Sequence, residues 1–205
     1  MFSSIVGIVA SYLLGSVSFS ILLAKWLKKI DIRQHGSGNA GATNTLRVLG
    51  KGPALAVFLL DIAKGTAAVL IGRWLGEGET WVAVACGLAA IVGHNWPIYF
   101  RLKGGKGIAT TIGALVVMCF LPTLIAGVIA ILTIAFTRYV SLGSLVFAVL
   151  LPIFVACFGY DAPYLWGTIV IALLAVLRHR KNIVKLVKGT ENKLGSGKKG
   201  EPHGA

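Results

Sequence analysis

Acidic residues, and charge in general, are scarce in this chain. Asp and Glu together number 7 of 205 residues, and only 13% of the residues are charged, about half the share found in soluble domains. Hydrophobic residues make up 56% of the chain, and the mean hydropathy is +0.82. A soluble domain of this size could not cover so much apolar surface, and a disordered chain would be far more polar. The composition excludes both classes and indicates a membrane protein.

Cysteine and clustered metal ligands are scarce as well. Cys86, Cys119 and Cys157 lie in apolar stretches without C-x-x-C spacing, which excludes a disulfide framework and a zinc site. No two carboxylates form a closely spaced pair in a basic segment. The sequence therefore predicts neither a metal ion nor a cofactor.

Long apolar runs fill most of the chain. The first, from Ile5 to about Leu27, has no basic residue before it, unlike a cleaved signal peptide. At ~1.5 Å per residue it is long enough to cross ~30 Å of hydrocarbon. We predict an all-α polytopic membrane protein, with one domain over residues 1–195 and a disordered tail over 196–205. Its seven predicted transmembrane helices cover about 5–27, 53–75, 80–100, 107–121, 122–137, 142–158 and 164–178.

The basic residues fall between alternate apolar runs. The net charge of +13 would indicate nucleic-acid binding in a soluble protein, but here most Lys and Arg residues lie in 25–51, in 101–106, at Arg138 and after residue 177. Positive residues collect on the cytoplasmic side. We therefore predict seven crossings, an outside N-terminus, a cytoplasmic C-terminus and no nucleic-acid partner.

One part of this topology has an alternative. Residues 107–137 could form a single tilted helix or two short helices broken at Leu121-Pro122, because proline interrupts the helical ladder. A single helix would place Arg138 outside, so the charge pattern favours two helices.

Two ionisable residues, Asp61 and Lys64, lie three positions apart within the second predicted helix. Such a pair either marks a functional site or neutralises itself inside the bundle. We assign both residues a structural role.

The segment after the first helix is rich in small and hydrogen-bonding residues. Gly36 to Gly41 fits G-x-G-x-x-G, but that pattern indicates dinucleotide binding only between a strand and a helix. An anion nest formed by backbone N–H groups is the preferred interpretation, and a flexible loop is the alternative. The residues that would serve it are Ser37, Asn39, Thr43, Asn44 and Arg47.

A second glycine-rich segment, residues 101–110, runs into the fourth predicted helix. It lacks the spacing of a Walker A loop. Glycines, a helix N-terminus and two lysines still suit a phosphate, whereas a basic membrane anchor would not need the glycines. A Cβ at any of these glycines would push the phosphate off the backbone amides. The predicted phosphate-binding residues are Lys103, Gly104, Gly105, Lys106 and Gly107.

The other histidines carry weaker signals. His179 and Asn182 lie just past the last apolar run, three residues apart, and would share a helix face. His94 stands beside Trp96 at the end of a run, and we interpret it as an interfacial anchor.

Taken together, these motifs resemble the PlsY family of bacterial acyl-phosphate:glycerol-3-phosphate acyltransferases. The resemblance covers nearly the whole chain to about Gly195. Its motifs are Gly36-Ser37-Gly38-Asn39-Ala40-Gly41-Ala42-Thr43-Asn44 with Leu46-Arg47, Leu60-Asp61 with Lys64-Gly65, Lys103-Gly104-Gly105-Lys106-Gly107 with Ala109-Thr110, and Arg178-His179 with Asn182-Ile183 and Gly189-Thr190-Glu191. No histidine is followed four residues later by an aspartate, so the His–Asp motif of many glycerolipid acyltransferases is absent.

The resemblance implies a bacterial inner-membrane enzyme with a cytoplasmic active site. It would transfer an acyl group from acyl phosphate to the 1-hydroxyl of sn-glycerol 3-phosphate, giving lysophosphatidic acid and phosphate. The predicted catalytic residues are Ser37, Arg47, Lys106, His179 and Asn182. Predicted substrate-binding residues are Asn39, Thr43, Asn44, Lys103, Gly104, Gly105, Gly107 and Ser141, and Glu191 is predicted to be structural.

Some questions stay open at this level. The proton acceptor is either His179 or a substrate phosphate oxygen. A transporter for an organic phosphate and a CoA-dependent acyltransferase are the competing functions, although the sequence has no clear internal repeat of the kind many transporters show. Neither the acyl-chain length nor the oligomeric state can be read from the sequence.

Overall fold

The computed structural model describes residues 1–195, so the predicted tail lies outside the described residues. All regular elements in that part are helical, which confirms the all-α prediction. Short 3-10 turns occupy Ile32–Gln34 and Ile98–Phe100. The α-helices are α1 (Phe2–Gly15), α2 (Phe19–Lys28), α3 (Ala42–Leu49), α4 (Lys51–Leu75), α5 (Thr80–Asn95), α6 (Ile108–Met118), α7 (Phe120–Thr137), α8 (Val140–Cys157) and α9 (Ala162–Val187).

Within the described residues, six helical segments are long and apolar enough to cross a membrane, not seven as predicted. The pair α1 and α2 counts as one of them. The predicted span over 107–121 is instead the 11-residue helix α6. At ~1.5 Å per residue it reaches roughly 16 Å, about half of the hydrocarbon thickness.

Residues 107–137 form two helices, but the break falls at Cys119, whose backbone is non-helical (φ −149°, ψ 77°), and not at Leu121-Pro122 as predicted. Pro122 therefore lies in the first turn of α7. Its missing N–H costs no bond there, because the first N–H groups of a helix have no helical acceptor.

The four basic segments come together at one end of the bundle. Arg33 donates to the Phe100 carbonyl at 2.8 Å, and Arg138 donates to the Leu194 carbonyl at 2.7 Å. Arg178 reaches the carbonyl of Gly105 at 2.6 Å. The charge alternation read from the sequence thus corresponds to a single basic end.

Glycines allow the central helices to pack at backbone distance. An added Cβ at Gly65 would overlap the Thr110 carbonyl, and one at Gly113 would overlap the Ile62 carbonyl. Such small-residue contacts are typical of helix pairs in membranes. They fix the short helix α6 against α4 and so position the loop that precedes α6.

Candidate functional site

A cavity of about 790 Å³ opens beneath the basic end. It is lined by helices α3 to α9, by the loops before α3 and α6 and by the segment after α9. Lys103, Gly105 and Lys64 do not line it. The sequence-predicted residues that do line it are Ser37, Asn39, Thr43, Asn44, Arg47, Asp61, Gly104, Lys106, Gly107, Ser141, His179, Asn182 and Glu191.

Asn44 holds the loop that carries Ser37. Its side chain is buried, and its Oδ1 accepts the Ser37 N–H at 2.7 Å. Its Nδ2 donates to the carbonyls of Ile32 and His35 at 3.1 and 3.0 Å. Since both N–H donors are used on the backbone, we propose that Asn44 positions Ser37 rather than contacting a substrate.

Arg178, which the sequence analysis did not select, clamps the glycine segment. Its Nε and NH2 donate to the Gly105 carbonyl at 3.0 and 2.6 Å. The guanidinium also lies 5.2 Å from the centroid of the Trp96 ring, a cation–π distance. The signal for Arg178 that the sequence offered was its position next to the predicted site residue His179. Successive residues on a helix point in different directions, so Arg178 can hold the glycine segment while His179 faces other groups.

The glycines of this segment are needed for packing. A Cβ at Gly104 would overlap the His94 carbonyl and Pro97, and one at Gly105 would overlap the His94 ring and the Ala40 carbonyl. The Gly105 N–H donates to the His94 carbonyl at 3.1 Å, so it is not available to a phosphate. The N–H groups left for an anion are those at the start of α6.

A chain of hydrogen bonds joins three distant segments beside the cavity. Lys106 Nζ donates to Asn182 Oδ1 at 2.7 Å, and Asn182 Nδ2 donates to Glu191 Oε1 at 2.8 Å. Ser141 Oγ donates to the same carboxylate oxygen at 3.1 Å. Glu191 thereby orients Asn182, and Asn182 orients the ammonium of Lys106.

Lys106 is a partly buried cation whose charge is sensitive to pH. Burial lowers the pKa of Lys106 to about 8; Glu191 opposes this shift, and Arg47, Arg178 and Lys185 add to it. Its charge thus changes just above neutral pH.

The His179 ring is buried and fixed in one tautomer. Its Nδ1 lies 2.8 Å from the Ala175 carbonyl, and because a carbonyl only accepts, Nδ1 carries the hydrogen and Nε2 has a free lone pair. Within residues 1–195 no carboxylate is bonded to this ring, and no group of three or more His, Cys, Asp or Glu could hold a metal ion.

A polar cluster of Asp61, Lys64 and His94 is buried at the centre of the bundle. Lys64 Nζ lies 2.7 Å from Asp61 Oδ1 and 3.0 Å from His94 Nδ1. It also donates at 2.8 Å to the carbonyl of Val17, in the break between α1 and α2. His94 is 5% exposed, so the interpretation as an interfacial anchor is wrong. Through these contacts of Lys64, the cluster joins α4 to α5 and to the end of α1. Removing one partner of a buried ion pair costs about 3–5 kcal/mol.

The remainder of the cavity is an apolar groove that continues from the basic end between α4, α6, α7 and α8. Several of its side chains are also exposed on the outer surface of the bundle. The residues that form it include Phe58, Ile62, Ile112, Val116, Phe120, Leu124, Gly127, Ile131, Ile134 and Phe147. One cavity thus joins a cationic end to a groove suited to a hydrocarbon chain.

Comparisons with known proteins agree on one family. The family model described as glycerol-3-phosphate acyltransferase matches residues 5–189. A glycerol-3-phosphate acyltransferase from Halalkalibacterium halodurans is 59% identical, over 92% of this chain and 94% of its own length. A protein of the same name from Shouchella clausii is 57% identical, over 94% of this chain and 97% of its own length.

Two solved structures have the same fold. One is PlsY, an integral membrane glycerol 3-phosphate acyltransferase, in its glycerol 3-phosphate form, with a TM-score of 0.90 and 38% identity. The other is PlsY in its lysophosphatidic acid form, with a TM-score of 0.87 and 38% identity. Each match covers 95% of this chain and 96% of the other.

Proposed function

We propose that this chain, which belongs to the PlsY family of glycerol-3-phosphate acyltransferases, takes its acyl group from acyl phosphate and transfers it to the 1-hydroxyl of sn-glycerol 3-phosphate. Family membership makes it an integral membrane acyltransferase with glycerol 3-phosphate as acceptor. The products of the proposed reaction are lysophosphatidic acid and inorganic phosphate. We place it as the first acylation of phospholipid biosynthesis.

The main observation in support of this proposal is that one cavity contains both a cationic end and an apolar groove. Both proposed substrates bring a phosphate to the cationic end, where Arg47, Lys106 and the first N–H groups of α6 can neutralise it. The acyl chain extends into the groove. We propose that Ser37 donates a hydrogen bond to the reacting acyl-phosphate group, because Asn44 holds its loop at the edge of the cavity.

In the proposed reaction the donor, acyl phosphate, is already activated for acyl transfer. The 1-hydroxyl oxygen attacks the acyl carbon, the bond from that carbon to the phosphate oxygen breaks, and the hydroxyl proton ends on the departing phosphate. We propose that a phosphate oxygen takes this proton directly, because no carboxylate supports His179 as a base among the described residues. His179 Nε2 accepts a hydrogen bond from the 2-hydroxyl of glycerol 3-phosphate and so holds the 1-hydroxyl in position for attack.

We further propose that the basic end faces the cytoplasm of the bacterial inner membrane. Residues 25–51, 101–106, Arg138 and the segment after residue 177 meet at this end, and basic loops are retained on the cytoplasmic side. Membrane lipids then surround the exposed apolar helix faces, and the lipid-soluble donor and product can enter or leave beside α6 and α7.

The donor is tested with purified protein, labelled glycerol 3-phosphate and either palmitoyl phosphate or palmitoyl-CoA. We expect labelled lysophosphatidic acid only with the acyl phosphate. Product formed with palmitoyl-CoA alone would overturn the proposed donor while leaving the acyltransferase activity intact.

The pH dependence of the reaction with glycerol 3-phosphate should report the protonation state of Lys106. Its pKa of about 8 means that the ammonium is present below that pH and is lost as the pH rises through it. We expect kcat/KM for glycerol 3-phosphate to be level between about pH 7 and 8 and to fall about tenfold per unit above pH 8, since this parameter reports ionisation of the free enzyme. Initial rates between about pH 6.5 and 10 measure the limb.

Two variants test whether Lys106 causes this fall in kcat/KM above pH 8. Lys106→Arg keeps its charge over the whole range and should remove the limb. Glu191→Gln should move it to lower pH, because Glu191 raises the pKa of Lys106. Lys51→Arg, at an exposed position outside the cavity, should leave the limb in place. An unchanged limb in Lys106→Arg would assign it to another group.

A further inference from the structure

We propose that Gly127 sets the length of the acyl chain that this enzyme transfers. The inference rests on the proposed function in one respect, because the occupant of the groove is taken to be the acyl chain of the donor and of the product. It concerns a single position on α7 and the space beside it.

Gly127 lies in the middle of the groove wall formed by α7. The residues of α7 that line the cavity recur at helical spacing, so they occupy one face. Gly127 is seven residues from Ile134, near the cationic end, and seven from Phe120, at the far end. At ~1.5 Å per residue this places it roughly 10 Å from each.

The space beside Gly127 is open. A Cβ at this position would meet no atom within 4 Å, whereas a Cβ at Gly113 or Gly143 would overlap a neighbouring helix. Gly127 is therefore not required for helix packing. Since the residue lines the cavity, a side chain at this position would occupy the groove.

An acyl chain whose head reacts at the cationic end must run along this face toward Phe120. An octanoyl chain is half as long as a palmitoyl chain, so it ends near the middle of the groove, whereas a palmitoyl chain passes Gly127. A larger residue at this point should obstruct the long chain and spare the short one. This is the behaviour of a specificity-determining residue rather than of a catalytic one.

The test is a competition between octanoyl phosphate and palmitoyl phosphate for the same enzyme, with the two lysophosphatidic acids measured together. Their ratio gives the ratio of the two kcat/KM values and does not depend on how much enzyme is folded. In Gly127→Leu we expect the palmitoyl-to-octanoyl ratio to fall by about tenfold to a hundredfold relative to the unaltered enzyme, the range for steric discrimination in an apolar pocket. Gly127→Ala should give a smaller change in the same direction.

Gly52→Leu is the matched control. Gly52 is also a helical glycine whose Cβ would meet nothing within 4 Å, but it does not line the cavity. Its ratio should match that of the unaltered enzyme. An unchanged ratio in Gly127→Leu, or an equal change in Gly52→Leu, would overturn the inference.

The two proposals fail separately. If acyl-CoA proves to be the donor, the donor assignment falls, and octanoyl-CoA and palmitoyl-CoA replace the acyl phosphates in the same competition. The product ratio in Gly127→Leu then decides the role of Gly127 in the same way.

Discussion

Replacing His179 with Asn is expected to lower kcat by about a hundredfold, whereas replacing it with Gln should cost tenfold or less. The amide of Asn matches the Nδ1 side of the ring and can keep the contact with the Ala175 carbonyl, but it leaves the position of Nε2 empty. The amide oxygen of Gln can occupy that position as an acceptor. A misplaced reactant costs on the order of 10²-fold, so the two variants separate an orienting role from a merely structural one.

The pH profile of kcat provides the second measurement for His179. If a substrate phosphate oxygen accepts the proton, an acid limb near pH 6 belongs to the phosphate, whose second pKa is about 6, and it persists in both variants. If His179 were the base, both variants should instead lose about 10²–10⁴-fold in kcat, because neither amide can take up the proton. Equal losses of this size in Asn and Gln would assign the proton to His179.

The general architecture could be predicted from composition because a bilayer admits few solutions. An apolar chain with basic residues between alternate runs must form membrane helices with its basic loops at one end, and the structure brings residues 25–51, 101–106, Arg138 and the C-terminal segment together. The number of spans could not be predicted in the same way. Hydropathy does not measure where a helix ends. Helix α6 begins at Ile108, directly after the glycine segment, and ends before the non-helical residue Cys119.

Residues of the site were predictable where they belong to local motifs. Ser37, Arg47, Lys106 and His179 all line the cavity. The roles of Arg178 and His94 depend on contacts between residues that are 73 and 30 positions apart in the chain, respectively. The sequence around His94, with Trp96 at the end of an apolar run, is typical of an interfacial residue. The packing of α5 against α4 instead brings His94 into contact with Asp61 and Lys64.

At Gly105 the structure gives a different physical reason for glycine from the one that the sequence motif predicts. The sequence pattern predicts a phosphate cradle in which a Cβ would displace the ligand. In the structure the Gly105 N–H is bonded to the His94 carbonyl, its carbonyl accepts from Arg178, and its Cα faces the His94 ring and the Ala40 carbonyl. A substitution at Gly105 should thus act first on the protein and only then on the substrate.

Gly105→Ala is accordingly expected to destabilise the folded enzyme by about 3 kcal/mol, the upper end of the usual cost of overpacking. For a chain of this size that lowers Tm by roughly 6–12 °C. Because the displaced segment carries Lys106, kcat should fall together with the affinity for glycerol 3-phosphate. Thermal unfolding of the purified variant and steady-state rates below its Tm measure the two effects.

Gly52→Ala is the matched control for Gly105→Ala, and its effect should be small. The added methyl at Gly52 meets nothing within 4 Å, and the residue lies in the exposed first turn of α4. We expect a nearly unchanged Tm and unchanged rates. If Gly105→Ala instead kept its Tm and kcat and lost only affinity for glycerol 3-phosphate, the glycine would serve the ligand directly, as the sequence pattern predicts. The packing against His94 and Ala40 would then not be the reason that glycine is required.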